Sequence, residues 1–501
     1  MNKPTQLLIL ILTSICLLTT TAQATTLTTQ PTTLLPPTLN GLPITTAKNL
    51  TITQPRCSAP VILEAGHTFT IHFTADSFTT AYAYLSTAYE PIVDNYWLTL
   101  QPATGANHTW TTTATIPAAA NPELYNLTLL LDNNGILLTR TQPRAVSITH
   151  ITDTFTFIHI TDLHVGDPRG FLTNVRQTLH YRSIIRTITE VNLLHPDFVL
   201  ITGDLVFGQL YPGEYAKEYP ILYNLLQRFD VPTYLVPGNH DCYKRLPEDG
   251  QTLYQQYFGA MNYSFDYGNY HFIGINSYDL PARQRLAIGP VMAYWGGAVS
   301  DQQLAWINHD LNTSKNKTLT FMFLHHSPLL DSYNDSLTHK RTYTNRQPLL
   351  NLIDADNVSM VLAGHVHWDS AYTVNGTIFL TTTTPESNVL KADGYWGYRM
   401  ISIVNGTIAS YNYKDPYYSI PSYHLQANIA KNQRKGTATS TLEKNMTVLL
   451  RFLLPDGTYV INTGSILEER SDGTTLELYV LLPVPANSTA TVTVKNHLET
   501  Q

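Results

Sequence analysis

The sequence predicts an α/β domain with an all-β domain on either side of it. Three observations predict this. From about 152 to 413, apolar β runs alternate with helical periods. Five clusters of good metal ligands, between Asp162 and His367, each follow one of those β runs directly. From about 50 to 150, and again after about 415, the helical period gives way to short β runs with turn residues between them.

Residues 1–24 read as a signal peptide. Lys3 gives a positive start, Leu7 to Leu18 is an apolar stretch, and Ala22-Gln23-Ala24 is a small-x-small cleavage pattern. The alternative is an uncleaved N-terminal anchor, for which the run is short. Residues 25–49, rich in Thr and Pro, read as a solvated linker. Residues 50–150 read as a β-sandwich of immunoglobulin-like size. Thr68 to Phe73 alternates, and Asp132-Asn133-Asn134-Gly135 is a hairpin turn between two strands.

Residues 151–415 read as the catalytic domain. Phe155 to Ile160, Phe198 to Thr202, Thr233 to Val236, Leu319 to Leu324 and Val358 to Leu362 are its buried strands. Helices are expected over Asn174 to Leu194, Glu214 to Phe229, from the capping sequence Ser300-Asp301-Gln302-Gln303 onward, and over Gln347 to Ile353. The segments 165–173, 208–213, 243–298 and 329–344 are expected to be loops lining a cleft. Residues 416–501 read as a C-terminal β domain, with strands over Thr447 to Leu454 and Leu476 to Leu482.

Composition narrows the function classes. Only 13% of the 501 residues are Asp, Glu, Lys or Arg, and the net charge is −7, which argues against nucleic acid held by charge. Twelve Asn-x-Ser/Thr sequons agree with export to a secreted or cell-surface location: Asn49, Asn107, Asn126, Asn262, Asn312, Asn316, Asn334, Asn357, Asn375, Asn405, Asn445 and Asn487. The expected mature chain keeps two cysteines, Cys57 and Cys242. In an oxidising compartment they form a disulfide or remain two thiols.

The clusters are Asp162-Leu163-His164, Gly203-Asp204, Gly238-Asn239-His240-Asp241, His325-His326 and Gly364-His365-Val366-His367. Carboxylates and imidazoles suit divalent or trivalent ions such as Mn, Fe or Zn. Alternate residues of an extended segment face one way, so Asp162, His164 and either His365 or His367 can share one ion. Asp204 can bridge two ions through its two oxygens. Asn239 is a neutral ligand, and His325 with the remaining histidine completes the second site. Two ions sharing a carboxylate activate water and clamp a phosphoryl group. His240 is positioned to protonate a leaving oxygen, and Asp241 to orient its imidazole.

Taken alone, an Asp-x-His or Gly-Asp is commonplace. All five in order, each after a β run, are not. Residues 155–413 resemble the calcineurin-like metallophosphoesterases, whose pattern is D-x-H, G-D, G-N-H-D/E, H and G-H-x-H. The resemblance implies a four-layer α/β/β/α sandwich with a dinuclear centre at the strand ends. It implies one ion on Asp162, His164, Asp204 and His367, the other on Asp204, Asn239, His325 and His365, and His240 as the catalytic histidine. Pro328, three positions on, favours His325 over His326 by the same likeness. His164 and Phe207 stand where the purple acid phosphatases have Gly and Tyr. Asp241 stands where secreted 5′-nucleotidases have Glu. The expected activity is an exported phosphoesterase using in-line attack by a metal-bridging hydroxide on a small phosphoester, with a lean to diesters. A phosphomonoesterase and a non-catalytic surface binding protein are the alternatives.

Overall fold

The computed structural model describes residues 39, 41–46, 49–89, 92–167, 181–288, 291, 292, 294–329, 342–385 and 396–497. The expected signal peptide, most of the linker and Asn334 lie outside them. The chain divides into two units, Met1–Leu42 and Pro43–Gln501, and every described helix and strand belongs to the second.

Part of the expected linker is a strand. Ile44–Thr46 pairs in parallel with Leu137–Thr139 at a sheet edge. Its β-branched residues suit a pleated edge, which the Thr-rich composition disguises. The N-terminal region holds two sheets. One runs Ile44–Thr46, Ile136–Ile148, Glu123–Asn133, Thr80–Thr87, Asn95–Trp97, and the other runs Thr51–Gln54, Thr68–Thr74, Thr109–Thr115, Thr99–Leu100. Ile71, Phe73, Leu85, Leu127 and Leu129 from both sheets share one core. The hairpin turn forms at Asn134 and Gly135, both with positive φ (54° and 84°), as a two-residue type I′ loop requires.

Two sheets carry the centre of the molecule. In the first, Thr233–Val236, Phe198–Thr202 and Phe155–Ile160 lie parallel, and Gly397–Val404 and Thr407–Ser410 continue antiparallel. In the second, Tyr270–Ile275, Leu319–Leu324, Met360–Ala363 and Thr377–Thr381 are parallel, with Tyr263–Tyr267 and Ser370–Val374 as antiparallel edges. Alternation puts one side-chain set of each sheet into a common aromatic core: Phe157 and Phe198 from the first, Phe272, Phe321 and Phe323 from the second. The opposite set of the first sheet packs on helices Tyr181–Leu194 and Tyr215–Leu226, and that of the second on Asp301–Thr313 and Arg346–Ala355. Ser300 caps its helix by accepting from the Gln303 N–H.

The segment 243–298 is not simply a loop. It contains helix Gly250–Phe258 and two strands of the second sheet. The aromatic alternation Tyr263, Phe265, Tyr267, then Tyr270 and Phe272 across Gly268-Asn269, is the signal for that hairpin.

Ile420–Pro421 still pairs with Gly397 and Tyr398. Beyond it the C-terminal region forms a four-stranded sheet starting at Leu425–Ile429 and a three-stranded sheet with Met446–Pro455 at one edge. Its buried Arg470 reaches back to the N-terminal region, with its two terminal nitrogens 2.6 Å from Asp94 and 2.7 Å from Glu123.

Candidate metal centre

Every parallel strand of the central sheets delivers its C-terminal end to one place, and the five clusters sit there. Backbone bonds stitch the emerging loops together: Asp162 N–H to Gly203 O, His164 N–H to Asp204 O, and Gly364 N–H to His325 O. The motif glycines permit this closeness. A Cβ on Gly203 would lie 2.5 Å from the Gly238 nitrogen, one on Gly238 2.2 Å from Asp204 Oδ1, and one on Gly364 1.8 Å from Thr161 Oγ1.

The loops are not extended. Five of the seven expected ligands have left-handed backbones: Asp162 (57°), His164 (45°), Asp204 (49°), His365 (69°) and His367 (60°). Non-glycine residues adopt this region rarely, and where they cluster they mark sites that use the strain. The left-handed turns, rather than simple strand alternation, bring Asp162 with His164, and His365 with His367, to the same cavity.

Asp162, His164, Asp204 and His367 form one group whose ligand atoms all lie within 4.8 Å of one another. His367 Nε2 is 3.0 Å from Asp162 Oδ1, and His164 Nε2 is 3.7 Å from Asp162 Oδ1 and 3.8 Å from Asp204 Oδ2. His325 Nε2 lies 3.0 Å from Asp204 Oδ2. Asp204 therefore stands between the first group and His325, with its other oxygen accepting the His240 N–H at 2.9 Å. His325 and His365 rings are adjacent, with centroids 5.1 Å apart.

His326 falls within the same 4.8 Å as His325 and His365. Its nitrogens are already used, however: Nδ1 meets Ser277 Oγ at 3.0 Å and Nε2 meets the Trp295 carbonyl at 3.1 Å. His325 uses Nδ1 alone, on the Thr202 carbonyl at 2.7 Å. Its Nε2 faces Asp204 Oδ2 at 3.0 Å, on the side of the other ligands.

Buried atoms without a hydrogen-bond partner test whether ions fit. Asn239 Oδ1 has none, and Asp162 Oδ1 and His325 Nε2 have only the ion-pair contacts given above. Leaving such atoms unsatisfied costs about 1–3 kcal/mol each, and two cations would satisfy all three. The donor set of carboxylate, imidazole and amide oxygen suits Mn, Fe or Zn.

The charged groups of the site act strongly on one another. Burial alone would raise the Asp162 carboxyl, but His367 and His325 beside it hold it well below the usual range. Burial would lower His325, but Asp204 and Asp162 lift it to about 9. Burial and the neighbouring His325 press His365 down to about 3. Burial also lowers His240, to about 4 despite Asp204. Its Nδ1 is held on the Phe207 carbonyl at 2.5 Å, while Nε2 lies 4.0 Å from Asp204 Oδ2.

Asp241 does not orient His240. Asn239–Cys242 winds into a short helix, so consecutive side chains diverge and Asp241 folds back on its own turn. It accepts N–H bonds from Gly238, Leu205 and Val206 at 2.7, 2.9 and 3.1 Å, tying the second cluster to the third. The orienting group is the Phe207 carbonyl. Sequence reading uses Phe207 only to exclude a phenolate ligand, and a backbone carbonyl carries no residue-type signal.

Cys57 and Cys242 are both buried and free, so no bridge joins them. They point to different surroundings. The Cys57 thiol meets Gln227 and Tyr223, whereas Cys242 lies against Asp241 and Arg285.

The sheets, the ligand set at their strand ends and the free donor atoms define a metal-dependent phosphoric ester hydrolase. Residues 155–369 match the model of the calcineurin-like phosphoesterases. The chain is 26% identical to a probable glycerophosphodiester phosphodiesterase of Arcobacter nitrofigilis, over 46% of this chain and 79% of that protein. It is 28% identical to a 3′,5′-cyclic-nucleotide phosphodiesterase of a Nostoc species, over 42% of this chain and 70% of that protein. A putative 5′-nucleotidase structure from Staphylococcus aureus superposes with a TM-score of 0.36 at 13% identity, covering 54% of each chain.

Proposed function

We propose that this protein is an exported dinuclear metallophosphodiesterase acting on a small phosphodiester. The observation that carries the reading is Asp204, 3.8 Å from His164 on one side and 3.0 Å from His325 on the other, together with a buried Asn239 Oδ1 that has no hydrogen-bond partner. Asp162, His164, Asp204 and His367 would hold one ion, and Asp204, Asn239, His325 and His365 the other. Those ions would supply Lewis acidity and a nucleophile at neutral pH and would clamp the phosphoryl oxygens.

The chain's own residues do the rest. The Phe207 carbonyl fixes His240 by Nδ1, so Nε2 is the atom that gives a proton to the leaving oxygen. An anionic phosphoryl group nearby raises the basicity that burial suppresses. Asp241 holds the loops of Asp204 and Asn239 at a fixed separation. The similar proteins from Arcobacter nitrofigilis and Nostoc are named as phosphodiesterases, which supports a diester over a monoester.

The packed sheets with helices outside them support the four-layer arrangement, and the two N-terminal sheets support an immunoglobulin-like sandwich at 50–150. Export to the medium or the cell surface, through the leader at 1–24, draws support from the sequons. Asn49, Asn107, Asn312, Asn316, Asn357, Asn375, Asn405, Asn445 and Asn487 are exposed. Asn126 and Asn262 are half-buried, and the Asn126 amide is spent on Thr87 O and the Arg144 N–H.

The test is turnover by the purified, Mn²⁺-loaded protein of bis-p-nitrophenyl phosphate, p-nitrophenyl phosphate, cyclic nucleotides and glycerophosphodiesters. Faster diester turnover is expected. Faster monoester turnover would make it a phosphatase, and no turnover with ions bound would make it a binding protein.

A further inference from the structure

The Asn239 side chain has two chemically unlike ends, and only the oxygen can bind a cation, since the amide nitrogen's lone pair is delocalised. Which end faces the centre is therefore decisive. Oδ1 is buried and has no hydrogen-bond partner. Nδ2 donates to the phenolic oxygen of Tyr243 at 2.6 Å.

Tyr243 is itself fully buried and well fixed. It ends the short helix Asn239–Cys242, its carbonyl accepts the Gly250 N–H at 2.9 Å, and its ring meets Tyr278 edge-on with centroids 5.9 Å apart. We propose that Tyr243 is a positioning residue for the second ion, holding the Asn239 amide so that Oδ1 is presented to the metal. This rests on the dinuclear reading above. It assigns a task to a residue outside all five ligand clusters, four positions after its target on the same turn.

The consequence is specific to one ion. Removing the phenolic oxygen leaves Nδ2 without its acceptor and frees the amide to rotate. Among the described hydrogen bonds, the Tyr243 hydroxyl meets Asn239 and none of Asp162, His164, Asp204 and His367. Partners that orient a ligand typically set affinity within about 10–100-fold.

The experiment is calorimetric Mn²⁺ titration of the metal-stripped full chain, with metal analysis after dialysis. Wild type should bind two ions. Tyr243→Phe should keep the tighter ion at wild-type affinity and bind the second roughly 10–100-fold more weakly, with kcat recovering at saturating Mn²⁺. Asn239→Asp supplies the background in which no amide needs orienting, so adding Tyr243→Phe there should leave affinity unchanged. That pair also decides the matter if Tyr243→Phe alone does not fold. Unchanged binding of both ions in Tyr243→Phe, equal weakening of both, or a further loss in the Asn239→Asp background overturns the assignment. Fewer than two ions in wild type overturns the dinuclear reading beneath it.

Discussion

The second central sheet carries two groups of histidine and aspartate, one at each end, each built around buried histidines. At the C-terminal ends of its strands lie His325, His365 and His367 with Asp162 and Asp204. At the opposite end, His271 at the start of Tyr270–Ile275 sits between Asp266 and Asp310, each 2.8 Å away. Both groups contain the residue types of a metal site. In the second, each ring nitrogen has a carboxylate, and Lys317 completes Asp266 at 2.7 Å. None of its members has a left-handed backbone, and none is left without a partner. The first leaves buried ligand atoms, Asp162 Oδ1 and His325 Nε2, with only ion-pair contacts and holds four of its five residues in left-handed turns. A structural cluster consumes its own hydrogen-bonding capacity, whereas a cluster built for a ligand keeps some in reserve.

Substitutions test that contrast. Asp204→Ala removes the residue shared by both ligand groups. It should abolish binding of at least one ion, and should lower kcat/KM by on the order of 10³-fold, beyond the loss a supporting partner causes. Metal analysis and steady-state kinetics check it. His240→Ala should cost about 10²–10⁴-fold in kcat with two ions retained, as expected for a lost proton donor. Retained activity would move the proton donor elsewhere.

Asp241→Asn tests the corrected role. One amide oxygen would have to replace two carboxylate oxygens facing three N–H groups. A stability loss of about 2–4 kcal/mol is expected by denaturant titration, with the pH profile of residual activity unshifted. A shifted profile would return Asp241 to His240.

The His271 cluster makes a pH-dependent contribution to stability. Burial opposes its charge, but Asp266 and Asp310 outweigh burial and raise it to about 9 from an ordinary 6.5. A histidine that holds its proton more tightly when folded stabilises fully below pH 6.5, and that stability is lost as pH rises through 9. It amounts to about 2–3 kcal/mol. His271→Gln should flatten the melting temperature across that window while leaving metal content untouched. Loss of an ion would show that the two clusters differ less than their hydrogen bonds indicate.

A second pH-dependent contribution belongs to Glu190, on helix Tyr181–Leu194, which accepts from Leu425 N–H and Tyr398 O–H. Burial raises it to about 7 from 4.5. The folded state binds that proton more tightly, so its contribution is full below pH 4.5 and lost as pH rises through 7. Glu190→Gln should remove that slope from the melting curve.

The two clusters also show what the sequence makes legible. Asp162, Asp204, Asn239, His325 and the Gly-His-x-His pair follow buried strands whose bounds are plain, because parallel strands buried on both faces read as unbroken apolar runs. His271 and Asp310 lie 39 positions apart and follow no motif, so only the folded chain joins them. The supporting groups are hidden for a related reason. Thr202 and Phe207 act through backbone carbonyls. Asp241 has other partners than expected because a four-residue helix replaces the extended loop that alternation assumes. The Ile44–Thr46 strand is masked by a composition that serves linkers and edges alike.

The dinuclear assignment is tested most directly by diester turnover of the chelator-stripped protein, titrated with Mn²⁺ while bound metal per chain is counted. Negligible turnover is expected without metal, with recovery complete when two ions are bound per chain. Full turnover by the stripped protein, or two bound ions with no turnover of any phosphoester, would contradict it.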